Sequence, residues 1–194
     1  VTESSSYRKV MTDSMENAEG REEITLNDTQ RKIADEFCSD IDNGIRKTYL
    51  LHGVTGSGKT EVYVRCIRKV IEEGCQAIVL IPEIALTYQT VRYFTRYFGD
   101  RVTFVNSKLS SGEKYDQFER AKRGEVDVVI GPRSALFTPF ERLGLIVIDE
   151  EHEGSYKSDN PPKYHARDVA LERARMEGAS VILGSATPSI ERYS

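Results

Sequence analysis

The amino-acid sequence predicts an α/β domain with a mainly parallel sheet and helices on both faces. Two observations carry this expectation. First, short runs that are almost continuously apolar and β-branched alternate with longer amphipathic stretches of helical period. That is the order of strands buried on both faces and joined by crossover helices. Second, Gly53-Val54-Thr55-Gly56-Ser57-Gly58-Lys59-Thr60 matches the phosphate-loop pattern GxxxxGK[ST] at every fixed position. It lies between one such strand and one such helix, the setting that gives the pattern its meaning.

Taken in chain order, residues 1–24 are rich in Ser, Glu, Asp and Asn without a sustained period, and are expected to form a linker or disordered arm. Residues 25–194 are expected to form one domain. Leu26 to Gln30 opens a first helix that Asn27 or Asp28 can cap, with Ile33, Ala34, Phe37 and Ile41 at helical spacing and Asn43-Gly44 at its end. Strands are predicted over Thr48–His52, Ala77–Ile81, Val102–Val105, Val126–Ile130, Leu145–Ile148 and Ser180–Leu183. Helices are predicted over Thr60–Glu73, Leu86–Phe98, Gly112–Arg123 and Ala166–Glu177.

Bulk properties exclude some classes. No apolar run approaches the roughly 18 residues that a membrane span needs, and the N-terminus is polar and acidic, unlike a signal peptide. The chain opens on Val, which is expected of an excised or processed chain. Cys38, Cys66 and Cys75 are scattered with no CxxC spacing, which fits free thiols in a reducing cytoplasm and gives no reason to expect zinc. The net charge of −4 includes −3 from Val1 to Thr25 (six acidic, three basic residues), so the remainder carries −1 and leaves room for a local basic strip.

The loop chemistry follows from its residue types. Glycines let successive backbone N–H groups turn toward an anion at a helix N-terminus. Lys59 adds a positive charge for the β- and γ-phosphates, and the Thr60 hydroxyl can ligate Mg²⁺. The strand Leu145-Ile146-Val147-Ile148 runs into Asp149-Glu150-Glu151-His152. An apolar strand ending in Asp is where phosphate-loop proteins keep the carboxylate that holds Mg²⁺, and Glu150 behind it can orient or deprotonate an attacking water. A lone histidine such as His152 is more often a satisfied structural residue.

Further segments extend the pattern: GVTGSGKTE (Gly53 to Glu61), IPEIALT (Ile81 to Thr87), GPRSALF (Gly131 to Phe137), DEEH and GSATPS (Gly184 to Ser189). Their order resembles motifs I, Ia, Ib, II and III of superfamily 2 helicases of DExH type. DEEHEGSYK followed by YHARDVALERA, and Ser107-Lys108-Leu109-Ser110 before a charged helix, resemble the primosomal replication-restart helicases of bacteria (the primosomal protein N′ family). The resemblance covers roughly Leu26 to Ser194.

That resemblance implies the first RecA-like lobe of an ATP-dependent DNA helicase acting at stalled or collapsed forks. Its ligands would be ATP and Mg²⁺. Its partners would be single-stranded or forked DNA and, in the whole protein, primosome and single-strand-binding proteins, with no membrane. Gln30 resembles the glutamine that reads adenine; otherwise it is a surface residue on a first helical turn. Glu83, Thr87, Arg133 and Ser134 correspond to segments that meet the single-strand backbone, with a structural ion pair as the alternative for Arg133. Ser185, Thr187 and His152 correspond to a relay between nucleotide and DNA. Tyr156, Lys157, Tyr164, His165 and Arg167 lie in what resembles an aromatic-rich loop able to stack bases, although Tyr164 also suits packing over the sheet edge.

Asn106 departs from the family's His before Ser-Lys-Leu-Ser. The second lobe with its arginine finger, the zinc-binding cysteines and the N-terminal DNA-binding domains are not within the 194 residues. Half a cleft is expected to bind Mg-nucleotide weakly and hardly to hydrolyse it. A phosphotransferase acting on a small molecule, a non-catalytic nucleotide sensor or another superfamily 2 translocase remain alternative readings.

Overall fold

The structure, a computed structural model, describes residues 25–52, 58–149 and 165–185. Helix α1 (Asp28–Asp42) begins where the sequence indicates. The Asn27 side chain accepts from the Gln30 N–H at 2.9 Å, and Gln30 Oε1 accepts from the Asn27 N–H at 2.9 Å. This reciprocal box satisfies two N–H groups left over at a helix start. Ala34, Phe37, Cys38 and Ile41 form the buried face, and Gly44, with φ +72°, turns the chain out.

Six strands follow: β1 (Thr48–His52), β2 (Gln76–Leu80), β3 (Val102–Phe104), β4 (Val128–Gly131), β5 (Leu143–Ile148) and β6 (Ser180–Ser185). They make one sheet in the order β1-β6-β5-β2-β4-β3, and every pairing is parallel. Between them run α2 (Lys59–Glu72), α3 (Tyr88–Phe98), α4 (Ser111–Lys122) and α5 (Ala166–Glu177), with 3₁₀ turns at Glu83–Ala85, Gly99–Arg101 and Arg133–Phe137.

The period-2 alternation of strand side chains divides the core into two layers. Ala77 and Val79 of β2 and Leu145 and Val147 of β5 point to α1, α2 and α3. Ile78, Leu80, Ile146 and Ile148 point to α4, α5 and the 133–137 turn. Helices therefore cover both faces, and every residue of β4, β5 and β6 is buried. Helix α5 meets the sheet through Ala166, Ala170 and Ala174, a stripe at i, i+4 and i+8 small enough for close approach.

Departures from the predicted boundaries have local causes. Strand β5 starts two residues early, at Leu143, because Gly144 lets the backbone pass Cys75. A Cβ on Gly144 would come 2.7 Å from the Cys75 Cβ, and the β2–β5 register shifts at this point. Helix α3 starts at Tyr88, not Leu86: Pro82 opens a 3₁₀ turn, and the Thr87 side chain accepts from the Thr90 N–H at 3.3 Å as the N-cap. Strand β6 runs on through Gly184 to Ser185, two residues beyond the predicted end. No helix among the described residues is long and apolar enough to cross a membrane.

Candidate nucleotide and nucleic-acid site

In a parallel sheet all strands end on one edge, and ligands in such folds bind beyond that edge. The described candidate residues converge there, except Gln30, which approaches from α1, and Arg167, which lies in the first turn of α5. Along the edge they separate into two halves. Lys59 and Thr60 follow β1, Ser185 closes β6 and Asp149 follows β5, and these three strands are neighbours. Glu83 and Thr87 follow β2, the Ser107 segment follows β3, and Arg133 and Ser134 follow β4, the other three strands.

The first half holds the end of the phosphate loop. Gly58 is the N-cap of α2 with φ +82° and ψ 22°, a left-handed conformation that favours glycine. Its Cα faces the Gln30 amide so closely that a Cβ would lie 1.7 Å from Gln30 Nε2, with Glu61 Oε2 at 3.3 Å. Lys59 is buried at the first position of α2, where the helix N-terminus favours an anion. Thr60 and Asp149 line a single cavity of about 230 Å³ together with Tyr63, Gln89 and Tyr93. A hydroxyl and a carboxylate are hard oxygen donors, and that set fits Mg²⁺, which is commonly held by one or two protein oxygens plus phosphates and water.

Asp149 is fixed from two sides. Its N–H donates to the Leu80 carbonyl at 2.9 Å, and its Oδ1 accepts from the Tyr63 hydroxyl at 2.8 Å. Ser185 is fully buried and pairs with His52 across the β1–β6 ladder, beside the strand that enters the phosphate loop.

In the second half, Glu83 Oε1 accepts from the Ser107 N–H at 2.9 Å and from the Ser107 hydroxyl. The turn after β3 is also tied down by Asn106, whose Oδ1 accepts from the Lys108 N–H at 3.0 Å and the Leu109 N–H at 3.1 Å. Asn106, the departure from the family's histidine, thus serves the turn locally. Thr87 caps α3, and Arg133 and Ser134 open the 3₁₀ turn behind Pro132. Arg167 belongs to the first turn of α5, not to a loop: its N–H donates to Nδ1 of His165, the helix N-cap, at 3.0 Å.

Gly53, Thr55, Gly56, Ser57, Glu150, His152, Tyr156, Lys157, Tyr164 and Thr187 lie outside the described residues. Periodicity gave no sign of Tyr63's part, because a tyrosine on the apolar face of a helix reads as core. Nor did it single out Ile84, Tyr88 and Phe137, which are exposed large apolar side chains beside the second half of the edge.

The model of the DEAD/DEAH box helicase family matches residues 27–194. The chain belongs to that family. ATP and Mg²⁺ are the general ligands of such a domain. Among curated proteins, the chain is 51% identical over 172 residues to Replication restart protein PriA of Bacillus subtilis (strain 168), covering 89% of this chain and 21% of that protein. It is 45% identical over 175 residues to the PriA of Haemophilus influenzae, covering 90% of this chain and 23% of that protein. The chain therefore spans about a fifth of the length of these relatives.

Among solved structures, a RecG bound to a three-way DNA junction superposes with a TM-score of 0.64 at 23% identity, over 93% of this chain and 23% of that one. The helicase MrfA gives 0.54 at 20% identity, over 93% of this chain and 29% of that one. At these identities the likeness is one of fold, and the fold is RecA-like α/β.

Proposed function

We propose that this chain is the first ATP-binding lobe of a DNA helicase that restarts replication at stalled or collapsed forks. The observation that carries the reading is the division of the sheet edge. Phosphate-loop and acidic residues follow β1, β6 and β5, while the candidate strand-contact residues follow β2, β4 and β3. A motor needs these two sites on one rigid body. The names of the PriA relatives supply the process, and the junction-bound RecG is in keeping with a branched DNA substrate.

In this reading the backbone from Gly53 to Gly58 and the Lys59 ammonium take the phosphates, and Gln30 meets the adenine. Thr60 and Asp149 would hold Mg²⁺, which neutralises the charge that develops on the phosphates during transfer to water. Glu150 orients the attacking water and accepts its proton. Ser185, Thr187 and His152 pass the nucleotide state to the DNA side. There Thr87, Arg133 and Ser134 meet the strand backbone, and Glu83 shapes the track. Tyr156, Lys157, Tyr164 and Arg167, with the exposed rings of Tyr88 and Phe137, offer stacking surfaces and charge to bases.

A second lobe would close the cleft and add an arginine finger. Primosome and single-strand-binding proteins in the cytoplasm would be the protein partners.

The decisive experiment is an ATPase assay of the whole protein with and without forked DNA, beside Lys59→Ala and Glu150→Gln. Both variants should lose DNA-stimulated turnover, with Glu150→Gln keeping nucleotide binding and Lys59→Ala losing most of it. Fork-independent turnover, or full turnover in Glu150→Gln, refutes the reading. The isolated 194-residue chain should bind Mg-nucleotide weakly and hydrolyse it hardly at all.

A further inference from the structure

We propose that Tyr63 is a positioning residue for the Asp149 carboxylate, and that Gly184 is glycine to leave room for it. The inference rests on the reading of Asp149 as the magnesium carboxylate. Tyr63 is 1% exposed, and its ring is embedded in the core layer shared with α1 and α3. A ring held on all sides fixes where its hydroxyl can go, and that hydroxyl donates to Asp149 Oδ1 at 2.8 Å. The Cβ–Cγ torsion of a carboxylate is broad, and a hydrogen bond from a fixed hydroxyl to one oxygen narrows it.

The third component is a missing side chain. Ile148 pairs with Leu183, so Gly184 lies beside Asp149 in the β5–β6 register. A Cβ on Gly184 would fall 1.7 Å from the Tyr63 hydroxyl oxygen, 3.0 Å from its Cζ and 3.1 Å from Asp149 Oδ1. Gly184 is not among the glycines with positive φ. It is therefore required by space and not by backbone torsion.

The placement of Tyr63 on α2 matters equally. Thr60 and Tyr63 are three residues apart, which puts both on one helix face, and both line the cavity that Asp149 also lines. Helix α2 thus carries on one face the Thr60 hydroxyl, which would hold Mg²⁺, and the Tyr63 hydroxyl, which donates to Asp149. The phosphate-loop helix, the acidic strand end and the strand leading into Ser185 meet at one hydrogen bond. A side chain at Gly184 would meet the Tyr63 hydroxyl first and the Asp149 carboxylate through it.

The test uses the whole protein and reads binding, not turnover. The Mg²⁺ dependence of binding of a fluorescent ATP analogue is titrated in wild type, Tyr63→Phe, Gly184→Ala, the double variant and Asp149→Asn. Mn²⁺ electron paramagnetic resonance with nucleotide reports the ligand sphere. Tyr63→Phe should raise the half-saturating Mg²⁺ concentration roughly five- to tenfold, the scale of one ordinary intramolecular hydrogen bond. It should broaden the Mn²⁺ spectrum and leave nucleotide affinity in EDTA unchanged. Gly184→Ala should have the same effect by displacing the hydroxyl, and the double variant should fall short of the sum of the two.

If Asp149→Asn abolishes the Mg²⁺ dependence while Tyr63→Phe keeps the wild-type half-saturation, the positioning role is overturned and the metal reading stands. If Asp149→Asn keeps the wild-type Mg²⁺ dependence, the metal reading falls and the positioning role with it. Loss of nucleotide affinity in EDTA by Tyr63→Phe would make Tyr63 a core residue only, which also overturns the proposal.

Discussion

Gln30 faces Gly58 across the start of α2, close enough that a single methyl on Gly58 would sit 1.7 Å from the Gln30 amide nitrogen. The side chain that resembles an adenine reader is thereby seated against the last glycine of the phosphate loop. Its other end is engaged, since Oε1 accepts from the Asn27 N–H in the capping box of α1. One glutamine thus serves a helix cap with its oxygen and faces the nucleotide loop with its nitrogen.

The two duties separate by substitution. Gln30→Glu keeps a carboxylate oxygen for the cap and loses the amide donor, so melting should be nearly unchanged while preference for ATP over GTP falls. Gln30→Ala should lose the preference and also about 1 kcal/mol of cap stability. Competition binding of ATP and GTP alongside thermal melting checks both. Equal ATP preference in all three proteins would remove Gln30 from adenine recognition.

Glu83 gives a prediction whose sign is informative. Removing a carboxylate near the proposed nucleic-acid track should strengthen binding if charge were all that mattered. Glu83 instead holds the Ser107 N–H and hydroxyl, and so fixes the turn after β3. Glu83→Ala should therefore weaken single-strand DNA binding several-fold while leaving its salt dependence unchanged. Fluorescence anisotropy over a salt series measures both quantities, and tighter binding would mean that the turn does not contribute.

Arg133 is expected to behave in the opposite manner. As a phosphate contact, Arg133→Ala should weaken binding to all sequences alike and lower the salt slope by about 0.7, the value for one phosphate contact on a single strand. If Arg133 serves only a structural ion pair, the slope stays the same and the melting temperature falls instead.

The sequence is most legible where one physical cause dominates. Strands show as short, mostly apolar and β-branched runs, so all six are legible, and Thr48–His52, an edge strand with both end residues exposed, agrees residue for residue. The α5 boundaries agree as well, because His165 and Gly178 punctuate them: one caps the helix start and the other adopts φ +69° after its end. What sequence could not show depends on contacts between distant segments. Tyr63 and Asp149 are 86 positions apart, and Glu83 and Ser107 are 24 apart. Gly144 and Gly184 are glycines because of neighbours distant in sequence, not because of their own torsions; Gly184 heads the GSATPS segment, but nothing local says what its missing side chain leaves room for. The motifs named the residues of the candidate site, and packing supplied what holds them.

At the opposite edge of the sheet, stability can be perturbed without touching the site. Arg101, just before β3, donates from Nε to Asp127 Oδ2 and from Nη2 to Asp127 Oδ1, both at 2.9 Å. The same guanidinium donates to the Glu125 carbonyl at 2.9 Å and the Gly124 carbonyl at 2.8 Å. It closes the turn that leads from α4 into β4, and the Asp127 hydrogen bonds raise its pKa further above the ordinary arginine value. Lysine keeps the charge but has no planar fork, so it cannot hold two carboxylate oxygens and two carbonyls together. The side chain is partly exposed, which limits the contribution of the ion pair itself. Arg101→Lys should therefore cost about 1–2 kcal/mol, mostly from lost directional hydrogen bonds, and lower the melting temperature by about 2–8 °C. Nucleotide and DNA affinities measured well below the transition should not change, because Arg101 precedes β3 while the site lies beyond the far ends of the strands. A loss of affinity at full folding would mean that strain at this turn travels the length of β3 and β4 to the DNA-side residues.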